Sequence, residues 1–180
     1  MFERYTEKAR RIIFFARYEA SQTGSHIIEA EHLLLGLLHE AKPLFEGANI
    51  DEMREELRRA VHTEGASKID VGIDLPLSES ARHILVSSLK EAEQLHHAHV
   101  SPEHVLLALM REPDFPARLL EKHKIQRDRI AHTLRQDIVI DMKTKSLDLV
   151  RELERAFAPL AARLTPEIEP AVLYALRMDT

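Results

Sequence analysis

The chain has no cysteine and no tryptophan, only five glycines, and aromatic residues fill just 5% of its 180 positions. Without cysteine there are no disulfides, no thiolate catalysis and no cysteine-ligated zinc. None of the glycines, Gly24, Gly36, Gly47, Gly65 and Gly72, is followed by Lys-Ser or Lys-Thr. The G-x-x-x-x-G-K-[ST] loop that cradles nucleotide phosphates is therefore missing, and ATP cannot be hydrolysed by that route. No apolar run approaches the roughly 18 residues that a membrane span needs. Met1-Phe2-Glu3-Arg4 mixes its charges and leads into a helical pattern, unlike a secretory signal. An excess of basic charge is also lacking: 25 Lys and Arg stand against 30 Asp and Glu, a net charge of −5. Short basic stretches such as Lys8-Ala9-Arg10-Arg11 lie beside acids and read as solvated helix faces, not as a nucleic-acid surface. These absences lead us to expect a soluble, cytoplasmic protein with no cofactor, no nucleic-acid partner and no membrane contact.

What the chain does have is helical periodicity. Hydrophobic residues make up 44% of it and charged residues 31%, enough for a packed core. Ala9, Ile12, Ile13, Ala16 and Ala20 follow the i, i+3, i+4, i+7, i+11 stripe of a helix. Thr6 is placed to cap that helix and Gly24 to stop it. A second helix starts near Glu29 and carries Leu33, Leu34, Leu35, Leu37 and Leu38. It is apolar nearly all round, so the pattern predicts burial between neighbours. After a loop with Pro43 and Gly47, Ile50, Met53, Leu57 and Val61 mark a third helix.

The pattern then repeats. AEHLLLGLL at residues 30–38 returns as PEHVLLALM at 102–110, a shift of 72 (103 − 31). Without a gap, residues 6–40 and 78–112 share 13 identities in 35 positions. Ser78 falls on Thr6, Glu91 on Glu19, Glu103 on Glu31 and His104 on His32. Ile130, Leu134 and Ile138 fall on Met53, Leu57 and Val61 at a shift of 77 (130 − 53), after a longer loop. Such agreement indicates duplication of a helical unit whose halves are each too small to bury their apolar faces alone. We expect one all-α domain of pseudo-two-fold symmetry over residues 1–140, with repeat one at 1–61, a linker at 62–76 and repeat two at 77–140. Ile69, Val71, Ile73 and Leu75 alternate in the linker, which predicts an extended segment lying over the core. Residues 141–180 repeat nothing. Leu147, Val150, Leu153, Phe157, Leu160 and Leu164 form an amphipathic helical extension, and Thr165-Pro166-Glu167 opens a further short helix.

The opening MFERYTEKARRII, the two Glu-His-Leu phrases and the spacing of the repeats resemble the N-terminal domain of the Clp ATPases, the Clp repeat domain of the ClpC and ClpA type. The likeness covers residues 1 to about 140 and rests on several motifs in order. It implies two copies of a four-helix unit that precede the ATPase ring of an unfoldase. Such a domain receives substrates and adaptors and has no catalysis of its own. In some ClpC-type members the helix-start Thr of each half and the Glu of each Glu-His phrase form sites for phosphorylated arginine. Carried to this chain, these are Thr6 and Glu31 in the first half, with Ser78 and Glu103 in the second. The chemistry fits, because a guanidinium takes paired hydrogen bonds from a carboxylate and a phosphate takes a helix N-terminus with a hydroxyl donor. The family phrase usually reads Gly-Thr-Glu-His. Here Glu29-Ala30 and Ser101-Pro102 precede the two Glu-His pairs, and Glu29 adds a negative charge that opposes a phosphate in the first site.

His32 and His104 adjoin leucine runs and are expected to tie helices together by hydrogen bonds rather than to catalyse or bind metal. His96, His97 and His99 lack the further ligands in fixed geometry that a metal site needs. Glu55 and Glu56 read as a solvated charged face. The chain is thus expected to be a non-enzymatic module that binds substrates or adaptors for a Clp-type unfoldase, or regulates one, without carrying the ring itself. The alternative is an oligomerisation protein that dimerises through residues 141–180.

Overall fold

The computed structural model describes residues 2–62, 67–70 and 74–161. It forms seven α-helices: α1 (Glu7–Thr23), α2 (Ala30–Glu40), α3 (Ile50–Val61), α4 (Glu79–Gln94), α5 (Pro102–Leu109), α6 (Phe115–Lys122) and α7 (Arg127–Ala161). A 3-10 turn, Lys42–Phe45, stands between α2 and α3. Among the described residues there is no strand, only two isolated parallel bridges, Tyr5 with Val100 and Ile28 with Leu77. The chain is all-α and pseudo-two-fold, as the repeat implied. It divides into compact units at 1–136 and 137–180.

In the first unit α1, α2 and α3 recur as α4, α5 and the start of α7. The central pair, α2 and α5, is apolar on nearly every side and is buried accordingly. Leu33, Leu34, Leu35, Leu37 and Leu38 are enclosed in one half, and Val105, Leu106, Leu107, Ala108 and Leu109 in the other. α1 and α2 pack unusually close. A Cβ on Gly36 would lie 2.3 Å from the carbonyl oxygen of Ile12. The equivalent position in the second repeat is Ala108, so that crossing has room for a methyl group.

The stretch read from sequence as a longer loop in the second repeat contains α6. Pro116 opens this helix, and Leu119 and Leu120 turn into the core. Its first-repeat counterpart is only the 3-10 turn, whose Phe45 is buried. Each half therefore holds four helical elements.

Two helix ends differ in chemistry but not in shape. α1 ends on Gly24 at φ 71°, where Ser25 N–H donates to Ala20 O at 2.9 Å. α4 ends with His96 at φ 57°, and His97 N–H donates to Ala92 O at 2.8 Å. This is one left-handed closing motif made twice, once with the residue that adopts it freely and once with one that does not.

Of the linker, residues 67–70 and 74–76 are described, and they are non-helical. Ile69 N–H donates to Ser21 O at 3.0 Å, Asp74 pairs with Arg17, and Leu75 is buried. Val71 and Ile73 lie outside the described residues. In the second unit α7 continues without a break to Ala161, exposing Leu147, Leu149, Val150 and Leu153. The short helix expected after Thr165 lies outside the described residues.

Candidate functional site

Thr6 and Ser78 are extended residues at the starts of α1 and α4. Thr6 Oγ1 accepts the N–H of Ala9 at 3.2 Å, and Ser78 Oγ accepts that of Ala81 at 3.1 Å. Both are N-caps, which is what hydroxyl residues do best at a helix start. Glu31 and Glu103 stand in the first turns of α2 and α5, where the helix dipole favours a carboxylate.

The histidines behind them fix those helix starts. His32 Nδ1 accepts the N–H of Glu29, and His104 Nδ1 accepts that of Ser101, both at 3.0 Å. A nitrogen that accepts carries no proton, so each neutral ring holds its proton on Nε2. His32 then donates to Thr23 Oγ1 at 3.3 Å, and His104 to His97 Nδ1 at 2.8 Å. Both rings are buried, and burial, joined at His104 by the charge of neighbouring His97, brings each pKa down to about 4. These are structural histidines, holding the Glu-His phrase in a capping box with imidazole in the place usually taken by Glu or Gln.

The backbone pairs the caps across the halves, not within them. Thr6 N–H donates to Val100 O at 2.9 Å, and Val100 N–H to Arg4 O at 2.8 Å. In the mirror arrangement Ser78 N–H donates to Ile28 O at 2.9 Å, and Ile28 N–H to Pro76 O at 2.8 Å. Thr6 thus stands beside the approach to α5 and Glu103, and Ser78 beside the approach to α2 and Glu31. Each corner of the domain takes its hydroxyl from one repeat and its carboxylate from the other, where the order along the chain had suggested Thr6 with Glu31 and Ser78 with Glu103.

The two corners differ in charge. Beside Ser78, Ser80 Oγ donates to Asp114 Oδ2 at 2.7 Å. Partial burial raises the Glu31 carboxyl above its usual range, and the negative charges of Glu29 and Asp114 add to the rise. Three acids, Glu29, Glu31 and Asp114, therefore gather here, and the Arg82 guanidinium donates to Leu77 O at 3.3 Å. Beside Thr6, Arg4 bonds Glu93 at 2.7 Å, and Arg10 donates to Tyr5 O at 3.0 Å. Arg4 has no basic counterpart in the other half, where Pro76 stands. The α5 helix start also exchanges Glu29 for neutral Ser101. The Thr6–Glu103 corner is the less acidic of the two.

Glu19 and Glu91, noted in the sequence only as register matches, are buried carboxylates. Glu19 takes Arg58 in two hydrogen bonds, at 2.9 and 3.2 Å, with His39 at 3.1 Å. Glu91 takes Arg127 at 3.0 and 3.1 Å and Arg111 at 2.5 Å. A buried carboxylate is tolerated when guanidinium groups satisfy it in this way. Arg54 and Arg127 then donate to Leu38 O and Leu107 O, each at 3.0 Å, closing the ends of the central helices. The sequence signal was a Glu inside an apolar helical stripe, twice in register.

A duplicated helical domain with two helix-start corners, each assembled from both repeats, defines the class of protein. The Clp repeat (R) N-terminal domain model matches residues 4–123, and the chain belongs to that family. It is 38% identical over 128 residues to the chloroplastic chaperone protein ClpC1 of Oryza sativa subsp. japonica, covering 67% of this chain and 14% of that one. The same identity over the same length holds for an ATP-dependent Clp protease ATP-binding subunit ClpA homolog of Guillardia theta, of which 15% is covered. The chain thus spans about one-seventh of the length of these relatives. Among solved structures, the N-terminal domain of the ClpD chaperone of Arabidopsis thaliana matches with a TM-score of 0.60 at 24% identity, over 77% of this chain and 96% of that one. The Hsp104 N-terminal domain of Candida albicans matches with a TM-score of 0.58 at 20% identity, over 73% and 89%. Both are likenesses of fold. No helix among the described residues is long and apolar enough to cross a membrane.

Proposed function

We propose that this domain is a non-enzymatic recognition module that binds substrates or adaptors for a Clp-type unfoldase, or regulates one. The observation that carries this reading is the pair of composite corners. Each joins a capped helix start to a first-turn carboxylate contributed by the other repeat, and the resemblance to Clp N-terminal domains implies a receiver of substrates and adaptors. The ligand these groups suit is an arginine-bearing peptide, phosphorylated or not. Glu103 and Glu31 would hold the guanidinium, and the helix starts at Thr6 and Ser78 would hold a phosphate. The Thr6–Glu103 corner is the better phosphoarginine site, because the Ser78–Glu31 corner sets Glu29 and Asp114 against a second anion. Rice ClpC1 is described as chloroplastic, so the expected setting widens from the cytoplasm to any compartment that houses a Clp ring.

Calorimetry with free phosphoarginine tests the ligand. Binding should be weakened more by Glu103→Ala than by Glu31→Ala, and Thr6→Val should weaken it more than Ser78→Ala. No heat of binding at millimolar ligand removes phosphoarginine and leaves the module reading standing. Pull-down from native lysate tests that reading: it predicts capture of a Clp ring, an adaptor or unfolded clients, and clean failure to capture any of them counts against it.

A second reading rests on Leu147, Leu149, Val150 and Leu153, which are exposed along α7. It makes residues 141–180 a homodimer interface. Sedimentation with and without those residues separates the two readings, since an unchanged monomer excludes the dimer.

A further inference from the structure

Glu56 is not the solvated acid that its place on a charged helix face suggested. It stands on α3 one turn beyond Glu52, and both face the end of α6 in the other repeat. Lys122 Nζ lies 2.8 and 2.9 Å from the two Glu56 oxygens and 4.0 Å from Glu52. His123 turns its Nε2 toward Glu56 Oε1 at 3.4 Å, with a side chain only 8% exposed. One ligand atom from each of Glu52, Glu56 and His123 lies within 4.8 Å of the other two.

We propose that Glu52, Glu56 and His123 form a site for a divalent transition metal of the zinc type, held closed by Lys122 when no metal is bound. Two carboxylates and one imidazole form a mixed N and O donor set. Such a set suits zinc, cobalt or nickel, and the imidazole disfavours calcium and magnesium. Ligand atoms around a tetrahedral ion at 2.0–2.2 Å stand about 3.4 Å apart, within reach of small side-chain rotations from the present spacing. The two acids share one face of α3 at i, i+4, and His123 closes the end of α6 with its side chain largely buried. Water can remain as a fourth ligand, because the Glu52 side chain is half exposed and the cluster opens to solvent on that side.

Lys122 is the obstacle and also part of the device. Its ammonium lies where positive charge is wanted, and its hydrogen bonds are the main reason the Glu56 carboxyl is held below the usual carboxylate range. Its side chain is 55% exposed, so the flexible stem can swing into water when an ion with fuller coordination arrives. The metal would then tie α3 of the first repeat to α6 of the second.

The test is calorimetric titration of the full chain with zinc chloride, followed by cobalt absorbance as a report of coordination geometry. One saturable ion per chain is expected. Glu56→Gln and His123→Gln should each weaken it by about tenfold or more, and Lys122→Gln should tighten it. Glu52→Gln, at an exposed position that leaves the fold intact, should also weaken it. Zinc should raise the thermal midpoint of the native chain and not that of Glu56→Gln. Absence of saturable binding up to millimolar zinc overturns the proposal. So does binding that survives both Glu56→Gln and Glu52→Gln, which would place the ion elsewhere, such as at His96, His97 and His99.

Discussion

Acid should unfold this domain through two particular rings. His32 and His104 hold their helix starts by accepting a backbone N–H at Nδ1, and that atom is where a second proton would have to go. Each pKa is about 4 in the fold against 6.5 for a free histidine. The folded state therefore takes up these protons less readily than the unfolded chain. The stability tied to them is complete above about pH 6.5 and is lost as pH falls toward 4. At about 1.36 kcal/mol per pH unit, the gap between 6.5 and about 4 is worth about 3 kcal/mol for each ring. Between pH 7 and 5 the pair should cost about 4 kcal/mol, a large share of the 5–15 kcal/mol typical of a domain. Glu31 works in the opposite direction, because its raised pKa makes the fold bind its proton more readily, but one partly exposed carboxyl does not offset two buried rings. Urea denaturation followed by circular dichroism across that range measures the slope. The decisive comparison is with His32→Gln and His104→Gln, since glutamine at the same helix position can still accept the N-cap N–H but does not titrate. Each substitution should remove about half of the slope. A stability that stays flat from pH 7 to 5, or a slope unmoved by both substitutions, refutes the reasoning.

Two further outcomes concern backbone geometry. Gly36→Ala places a methyl group 2.3 Å from Ile12 O and 3.2 Å from Ala16 N, neither of which can turn aside. The α1–α2 crossing must open, so despite alanine's better helix propensity the variant should lose about 1–3 kcal/mol in a thermal or urea melt. His96→Gly should instead stabilise the fold by roughly 0.5–1 kcal/mol, because glycine adopts the left-handed closing turn of α4 at no steric cost while gaining some freedom in the unfolded chain; a thermal midpoint that falls would contradict this.

Much of the molecule was legible because the same pattern was written twice. The helix starts at Thr6 and Ser78, the buried leucines of α2 and α5, and the structural role of His32 and His104 all follow from local spacing and capping chemistry. α6 escaped because eight residues between turns offer too few periods for a stripe to show. The left-handed turn at His96 escaped because its residue type gives no sign of one, whereas Gly24 announces its equivalent. The crossed pairing of the corners was not accessible at all. A duplication says that two halves look alike, but the hydrogen bonds joining Thr6 to Val100 and Ser78 to Ile28 depend on how those halves face each other. Asp114 was hidden for the same reason: it is remote from Glu31 in sequence and comes near it only through the dyad.

The reciprocal bridges carry a consequence of their own. Residue for residue, Tyr5 against Val100 and Leu77 against Ile28 form the kind of self-complementary contact that joins the subunits of a symmetric homodimer. Here the linker makes the contact intramolecular and holds the partners at a high effective concentration. Two identical subunits must change together, because every substitution appears twice. Two tethered halves are free of that obligation. One corner can gather Glu29 and Asp114 while the other keeps Ser101 and Arg4, so a single fold can present two differently charged corners on one body.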